Sequence, residues 1–208
     1  LPADLMGHNP KKFRRLNQLI KNKNFYNSLI NNVSCMYNFY LKGKTNSIIL
    51  NYDTSANDLF LWYQQLTAES LGKNNKGILP IISSMPSDNH SLMQYYLDGP
   101  KNNFFTFFFT KEKSIKIGKK LNHKTPHNIS GKTLNQISYA QFLATKKVFT
   151  EKNIPFRSFE ISRKKEETIG SLFIYFILET ILLGNLMKLN PFDQPSVELI
   201  KVETKKFL

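Results

Sequence analysis

Six residues, FFTFFF at positions 104–109, constrain the fold more than any other part of the sequence. An uncharged run this short cannot cross a bilayer, which takes about twenty residues as a helix. It shows no alternation of polar and apolar positions, so neither side of it suits water. A strand buried on both faces satisfies it, and such strands belong to parallel sheets covered by helices on each side. The rest of the chain supplies partners. Short apolar runs at 47–52, 77–84 and 156–161 have strand length. Between them lie helical patterns.

The first pattern places Phe13, Leu16 and Ile20, then Tyr26, Leu29, Ile30, Val33, Met36, Tyr37 and Tyr40 at spacings of three and four, with a break near 21–24. Further helices are expected over 55–71 with Leu59, Phe60, Tyr63 and Leu66 inward, from Asp88 to Leu97, over 133–153, over 166–189, and from Pro195 onward. Residues 111–130 are polar and read as a loop. Strands alternating with helices predict one α/β domain over 1–208, with a three-layer parallel sheet and a long buried helix near the end. In such sheets ligands bind at the carboxyl ends of the strands.

Residues 169–189 invite a second reading as a membrane span. Glu179 falls in the middle of it, which costs about 2–3 kcal/mol for insertion, so a buried central helix is expected and no membrane partner. The 29 Lys+Arg outnumber the 15 Asp+Glu, a net charge of +14. That excess suits nucleic acid, an anionic membrane surface or a phosphorylated substrate. The basic runs are short and separated, with no aromatic-interleaved stripe, so no nucleic-acid partner is expected. With 41% hydrophobic and 13% aromatic residues, a wholly disordered chain is excluded. A single cysteine, Cys35, cannot form an internal disulfide and suits a reducing compartment such as the cytoplasm. Beginning at Leu1 with no basic-then-apolar leader is the expectation for a fragment or a processed product.

Three stretches carry chemistry. Gln65 and Glu69 are four apart on a predicted helix and share a face. A carboxylate in a cleft is a base when ionised and an acid when protonated. The plain alternative is an exposed glutamate paired with Lys73. His90 follows a predicted strand, where an imidazole can move a proton to or from a sugar oxygen. The plain alternative there is a helix start capped by Asp88 or Asn89. The segment 190–201 reads as a helix stop, a tight turn and a new helix, from which Gln194 and Lys201 can reach one crevice; the alternative is a corner with a solvated lysine. His123 and His127 have Pro126 between them, which opposes a zinc-binding helix. Gly-Lys pairs at 43, 72, 118 and 131 lack the upstream glycine of a nucleotide loop.

Taken in order, these stretches resemble the carboxy-terminal half of glucose-6-phosphate isomerases. Phe192-Asp193-Gln194, Val197-Glu198 and Lys201 are similar to the family's terminal signature, departing at Ser196 where glycine is usual. Gln65 to Lys73 resembles its Gln-x-x-x-Glu-Ser-x-Gly-Lys helix, and His90 with Leu97-Asp98-Gly99-Pro100 its histidine block. Leu1 to Gly7 looks like the segment just after an upstream signature. The resemblance implies a sugar-isomerase (SIS-type) domain, the second of two, in a homodimer whose histidine serves the neighbouring subunit's site. It implies interconversion of glucose 6-phosphate and fructose 6-phosphate, in glycolysis and gluconeogenesis, with no metal and no cofactor. His90 and Lys201 would open the sugar ring, Glu69 would move a proton between C1 and C2 through a cis-enediol, and Gln65 and Gln194 would position the sugar. The family's Gly-Gly-Arg signature and its Ser/Thr-rich phosphate loop are absent from the 208 residues. A non-catalytic SIS-type phosphosugar-binding module is the alternative.

Overall fold

Side-chain caps and buried apolar runs divide the chain more finely than periodicity does. The structure, a computed structural model, describes residues 2–112, 129 and 131–208. The expected polar loop lies outside the described residues apart from Lys111, Glu112 and Ile129, as do His123, His127 and the Gly-Lys pair at 118. In chain order the elements are α1 (Pro2–Leu5), α2 (Pro10–Phe13), α3 (Leu16–Leu19), α4 (Lys23–Leu41) and β1 (Asn46–Asn51). A 3-10 turn (Thr54–Ala56) leads to α5 (Asn57–Leu71), β2 (Leu79–Ser84), α6 (Asp88–Ser91) and α7 (Met93–Asp98). Then come β3 (Asn103–Thr110), α8 (Leu134–Glu151), β4 (Phe156–Ile161), α9 (Glu166–Met187) and α10 (Pro195–Phe207).

The strands fall where the apolar runs placed them, within two residues. The first helical pattern needs correcting. The break near 21–24 is present, where Asn22 accepts from the Asn24 and Phe25 amides to start α4. The part before it is two pieces: α2, capped by Asn9 with Pro10 at its first position, and α3, which no side chain caps. Thr133 and Gln136 form a reciprocal capping box that starts α8. The helix expected to run to 189 stops at Met187, since Lys188 turns left-handed at φ 56°.

The four strands are all parallel in the order β2-β1-β3-β4. Asn46 faces Leu79 on one side and Asn103 on the other, so the strands start level. Every residue of β3 is buried. Ile49, Phe104 and Phe108 point into a layer with α4, α5 and α9. Ile48, Leu50, Phe105, Phe107 and Phe109 point into a second layer with Phe142 and Phe149 of α8. Phe60 meets Phe108 edge-on at 4.8 Å, and Phe149 meets Phe105 edge-on at the same distance. Such pairs add about 0.5–1.5 kcal/mol each beyond their burial.

The one polar residue inside the phenylalanine run also has its reason. The Arg157 Nε of β4 donates to Thr106 Oγ1 at 2.9 Å, and both Arg157 terminal nitrogens reach Glu179 of α9. Glu179 is 0% exposed, and Tyr63 of α5 donates its hydroxyl to Oε1 at 2.8 Å. Burial alone would lower the Arg157 pKa, but the Glu179 carboxylate beside it holds it well above the ordinary value. Burial, followed by the same carboxylate, pushes the Tyr63 phenol up. The acidic residue inside the apolar α9 is therefore a core group with a matched cation. At its other end α9 runs against α2, where a Cβ on Gly170 would lie 2.7 Å from Phe13 Cα, so only glycine permits that approach.

Removing one partner of a buried pair strands the other's charge, which typically costs about 3–5 kcal/mol. Arg157→Met is expected to lose stability on that scale in urea unfolding, while Arg157→Met with Glu179→Leu recovers most of it. A double variant no more stable than the single one would refute the pairing argument.

Candidate active site

The βαβ path decides where each candidate residue can sit. The helix α5 leaves the carboxyl end of β1 and returns to the start of β2, so its own carboxyl end lies at the amino edge of the sheet. The helix α9 follows β4 the same way and also ends at that edge. Glu69, two residues from the end of α5, thus meets the turn that follows α9. Its Oε1 accepts from the Gln65 side-chain amide at 3.0 Å, and its Oε2 accepts from the Gln194 side-chain amide at 2.8 Å. The second bond joins positions 125 residues apart. Gln65 and Gln194 are exposed and Glu69 is half-buried, so the carboxylate sits at an open rim with an amide on each oxygen.

Lys73 braces this rim and does not pair with Glu69 as the local spacing suggested. Its side chain is only 8% exposed, and its ammonium donates to Asp193 Oδ1 at 2.6 Å and to the Asn190 carbonyl. Asn190 in turn donates to Asp193 Oδ2 at 3.0 Å and accepts from the Phe192 amide through Oδ1. The Lys73 hydrogen bond holds the Asp193 carboxyl below the usual range. Lys73, Asn190 and Asp193 hold the turn that bears Gln194, an arrangement the sequence did not suggest. Asp193 stands beside Gln194 in the sequence, but nothing local links it to Lys73, which lies two residues beyond the end of α5 and 120 residues away.

The structure places the other two candidates apart from this group. Lys201 lies on α10, which has no buried residue, is 61% exposed and bonds Glu198 at 2.6 Å. It is not brought to Glu69. His90 is exposed in α6, just beyond the carboxyl end of β2. No side chain caps α6; Asp88 instead accepts from the Ser83 hydroxyl and the Ser84 amide, which ties the helix to the end of the strand. His90 and Glu69 stand at opposite ends of the sheet, roughly 20 Å apart by the rise of a six-residue strand. Glu69, Gln65 and Gln194 therefore depart from the expectation that ligand groups gather at the carboxyl ends of the strands. The cause is that α5 and α9 deliver them at its other edge. Among the described residues no group of three His, Cys, Asp or Glu side chains is arranged to hold a metal.

No family model matches the sequence. A protein of Methanococcus maripaludis described as a probable glucose-6-phosphate isomerase is 33% identical over 188 residues, which is 90% of this chain and 41% of that one. The glucose-6-phosphate isomerase of Mycoplasmopsis pulmonis is 34% identical over 203 residues, 94% of this chain and 47% of that one. Among solved structures, a hypothetical protein from Thermus thermophilus matches with a TM-score of 0.84 at 24% identity, covering 94% of this chain and 48% of its own. A glucose-6-phosphate isomerase from Chlamydia trachomatis gives 0.60 at 18%, covering 82% and 36%. At those identities the two structures show a shared fold. The chain spans less than half the length of the curated relatives it matches.

The Lys73–Asp193 contact fixes the turn bearing Gln194. Asp193 has a depressed folded pKa, so its contribution is present above the unfolded carboxylate value and is lost as pH falls through the lower folded one. Asp193→Asn is expected to lower the amide protection factors across 190–194 at pH 7 to those the unaltered chain shows only in acid. Unchanged protection in the variant would mean that the turn is held by something else.

Proposed function

We infer that this chain is part of a glucose-6-phosphate isomerase: it is homologous to proteins of that name at 31–37% identity over most of its length. The observation that supports the reading best is the convergence of two glutamine amides on one carboxylate, one from α5 itself and one from a turn 125 residues away. In the reaction, the Glu69 carboxylate takes the proton from C2 of the open-chain aldose. The protonated acid returns it to C1, while a proton moves from the C2 hydroxyl to the C1 oxygen, which gives the ketose. The amides of Gln65 and Gln194 keep the carboxylate aimed, and an open sugar hydroxyl can replace either as its partner. Geometry of that kind is what converts an ordinary carboxylate into an effective base.

Ring opening falls to His90 and Lys201. A site that uses both His90 and Glu69 draws them from two copies, because one chain holds them at opposite ends of its sheet. Lys201 comes to the rim by a movement of α10 about the Gln194 turn, since its present partner is the surface residue Glu198. The 208 residues contain neither the arginine signature nor the phosphate loop, so turnover belongs to the longer protein.

The test uses that full-length protein and a coupled assay of fructose 6-phosphate conversion. Glu69→Gln and His90→Ala are each expected to abolish turnover while Glu69→Gln still binds substrate. Denaturing and refolding the two inactive variants together is expected to restore about a quarter of the parental activity, since a mixed dimer owns one site with both groups intact. No recovery on mixing would overturn the shared site, and near-parental turnover by Glu69→Gln would overturn the base.

A further inference from the structure

A second feature of the amino edge straddles the two layers, with Phe39 of the α4–α5–α9 layer and Tyr96 of the other, and shares no residue with the Glu69 group. Here the ends of α4, α7 and α8 surround the starts of β1, β3 and β4 and leave a hollow of about 330 Å3. Four lysines line it: Lys42, Lys44, Lys101 and Lys152, from three different connections. Phe39 and Tyr96 form part of its walls. Lys44 donates to the Lys101 carbonyl, and Lys101 donates to the Leu97 carbonyl at 3.0 Å. Lys152 alone meets a carboxylate, Asp98 at 3.3 Å. Among the described residues no acid forms a salt bridge with Lys42, Lys44 or Lys101, and the Asp98 carboxylate that Lys152 meets also feels the Lys101 charge.

Helix polarity explains part of this. Lys42 and Lys152 occupy the C-caps of α4 and α8, and Lys101 bonds a carbonyl in the last turn of α7, where cations are favoured. That accounts for each of the three singly. It does not account for Lys44, which is in no helix, or for the placing of a fourth ammonium where burial and the Lys101 charge both lower its pKa. Like charges gathered in a concave site focus a positive field and attract a multivalent anion. The lysine ammonium is a compact point charge suited to phosphate oxygens. A volume at the small end of ligand pockets admits a small molecule and not a polymer. The apolar walls offer contact to a short carbon skeleton.

We propose that this four-lysine hollow at the starts of β1, β3 and β4 is a second anion site, separate from the Glu69 rim, that takes a small phosphomonoester. The dianionic phosphoryl group sits among Lys42, Lys44, Lys101 and Lys152, and the carbon portion lies against Phe39 and Tyr96. Occupancy ties the α4–β1, α7–β3 and α8–β4 connections together.

The experiment titrates the 208-residue chain with glycerol 3-phosphate, and separately with inorganic phosphate, by calorimetry in chloride buffer at fixed ionic strength. Saturable binding of glycerol 3-phosphate is expected. Lys44→Gln with Lys101→Gln is expected to weaken it by roughly tenfold or more, as loss of charge-assisted hydrogen bonds requires. Lys21→Gln with Lys147→Gln, which removes the same charge from exposed surface outside the hollow, is the control and is expected to change it little. Equal weakening by the two double variants would reduce the effect to net charge and overturn the site. Absence of saturable binding, or binding of phosphate but not of glycerol 3-phosphate, would overturn it as well. A readout independent of any variant is the amide spectrum of the unaltered chain. Gly43, Lys44, Asn102 and Asn153 are expected to shift on titration while Gly72 and Gln194 do not, and the reverse pattern would assign the ligand to the Glu69 rim instead.

Discussion

The contact on which the rest of this structure depends is the buried pair between Arg157 and Glu179, completed by the Tyr63 hydroxyl and Thr106. Its members come from β4, α9, α5 and β3, so one group of polar atoms sets the positions of two helices against the sheet. Burying ions is costly, and apolar residues of the same volume often stabilise as well or better. What an apolar replacement lacks is direction. The guanidinium fork accepts one arrangement of a carboxylate, and that fixes the rotation and the height of α9 relative to β4.

That rotation carries over to the rim. Tyr63 points inward from α5, and each further residue turns about 100°. Gln65 and Glu69, two and six positions later, therefore face about 200° and 240° away, out toward the edge where the turn after α9 arrives. The Thr67 and Thr180 hydroxyls, 3.5 Å apart, continue the same α5–α9 seam toward that end. The Gln194 amide reaches Glu69 because both helices end level, and they end level because the core pair has set them. A polar contact deep in one layer thus positions a carboxylate at the surface.

How much of this could be read in advance follows the same physics. Runs that bury both faces, such as 104–109, declare themselves because no other environment suits them, and the strands fall within two residues of their expected places. The break near 21–24 was legible, but the residues before it form two pieces of four residues and not one helix, the first of them started by the Asn9 cap. Gln65 and Glu69 were legible as neighbours, since helical spacing alone joins them. The loss of Lys73 from Glu69 was not legible, because its partner Asp193 lies 120 residues away. The lysine hollow was equally hidden. Its four residues are scattered over three connections, and only the level starts of β1 and β3 and the adjoining β4 bring them together.

Topology sets the last constraint. In a parallel sheet every crossover helix brings its carboxyl end back to the amino edge, and every loop after a strand stays at the carboxyl edge. Glu69 belongs to the first class and His90 to the second, so no side-chain rearrangement within one chain can unite them. A protein that needs both groups in one reaction must place the carboxyl edge of one copy against the amino edge of another. The exposed end of β2 with α6 on one side, and the open rim bounded by Gln65 and Gln194 on the other, are the two surfaces that such a pairing would join. An acid–base pair split in this way is assembled only when the copies meet, so association and catalysis become a single event in such a protein.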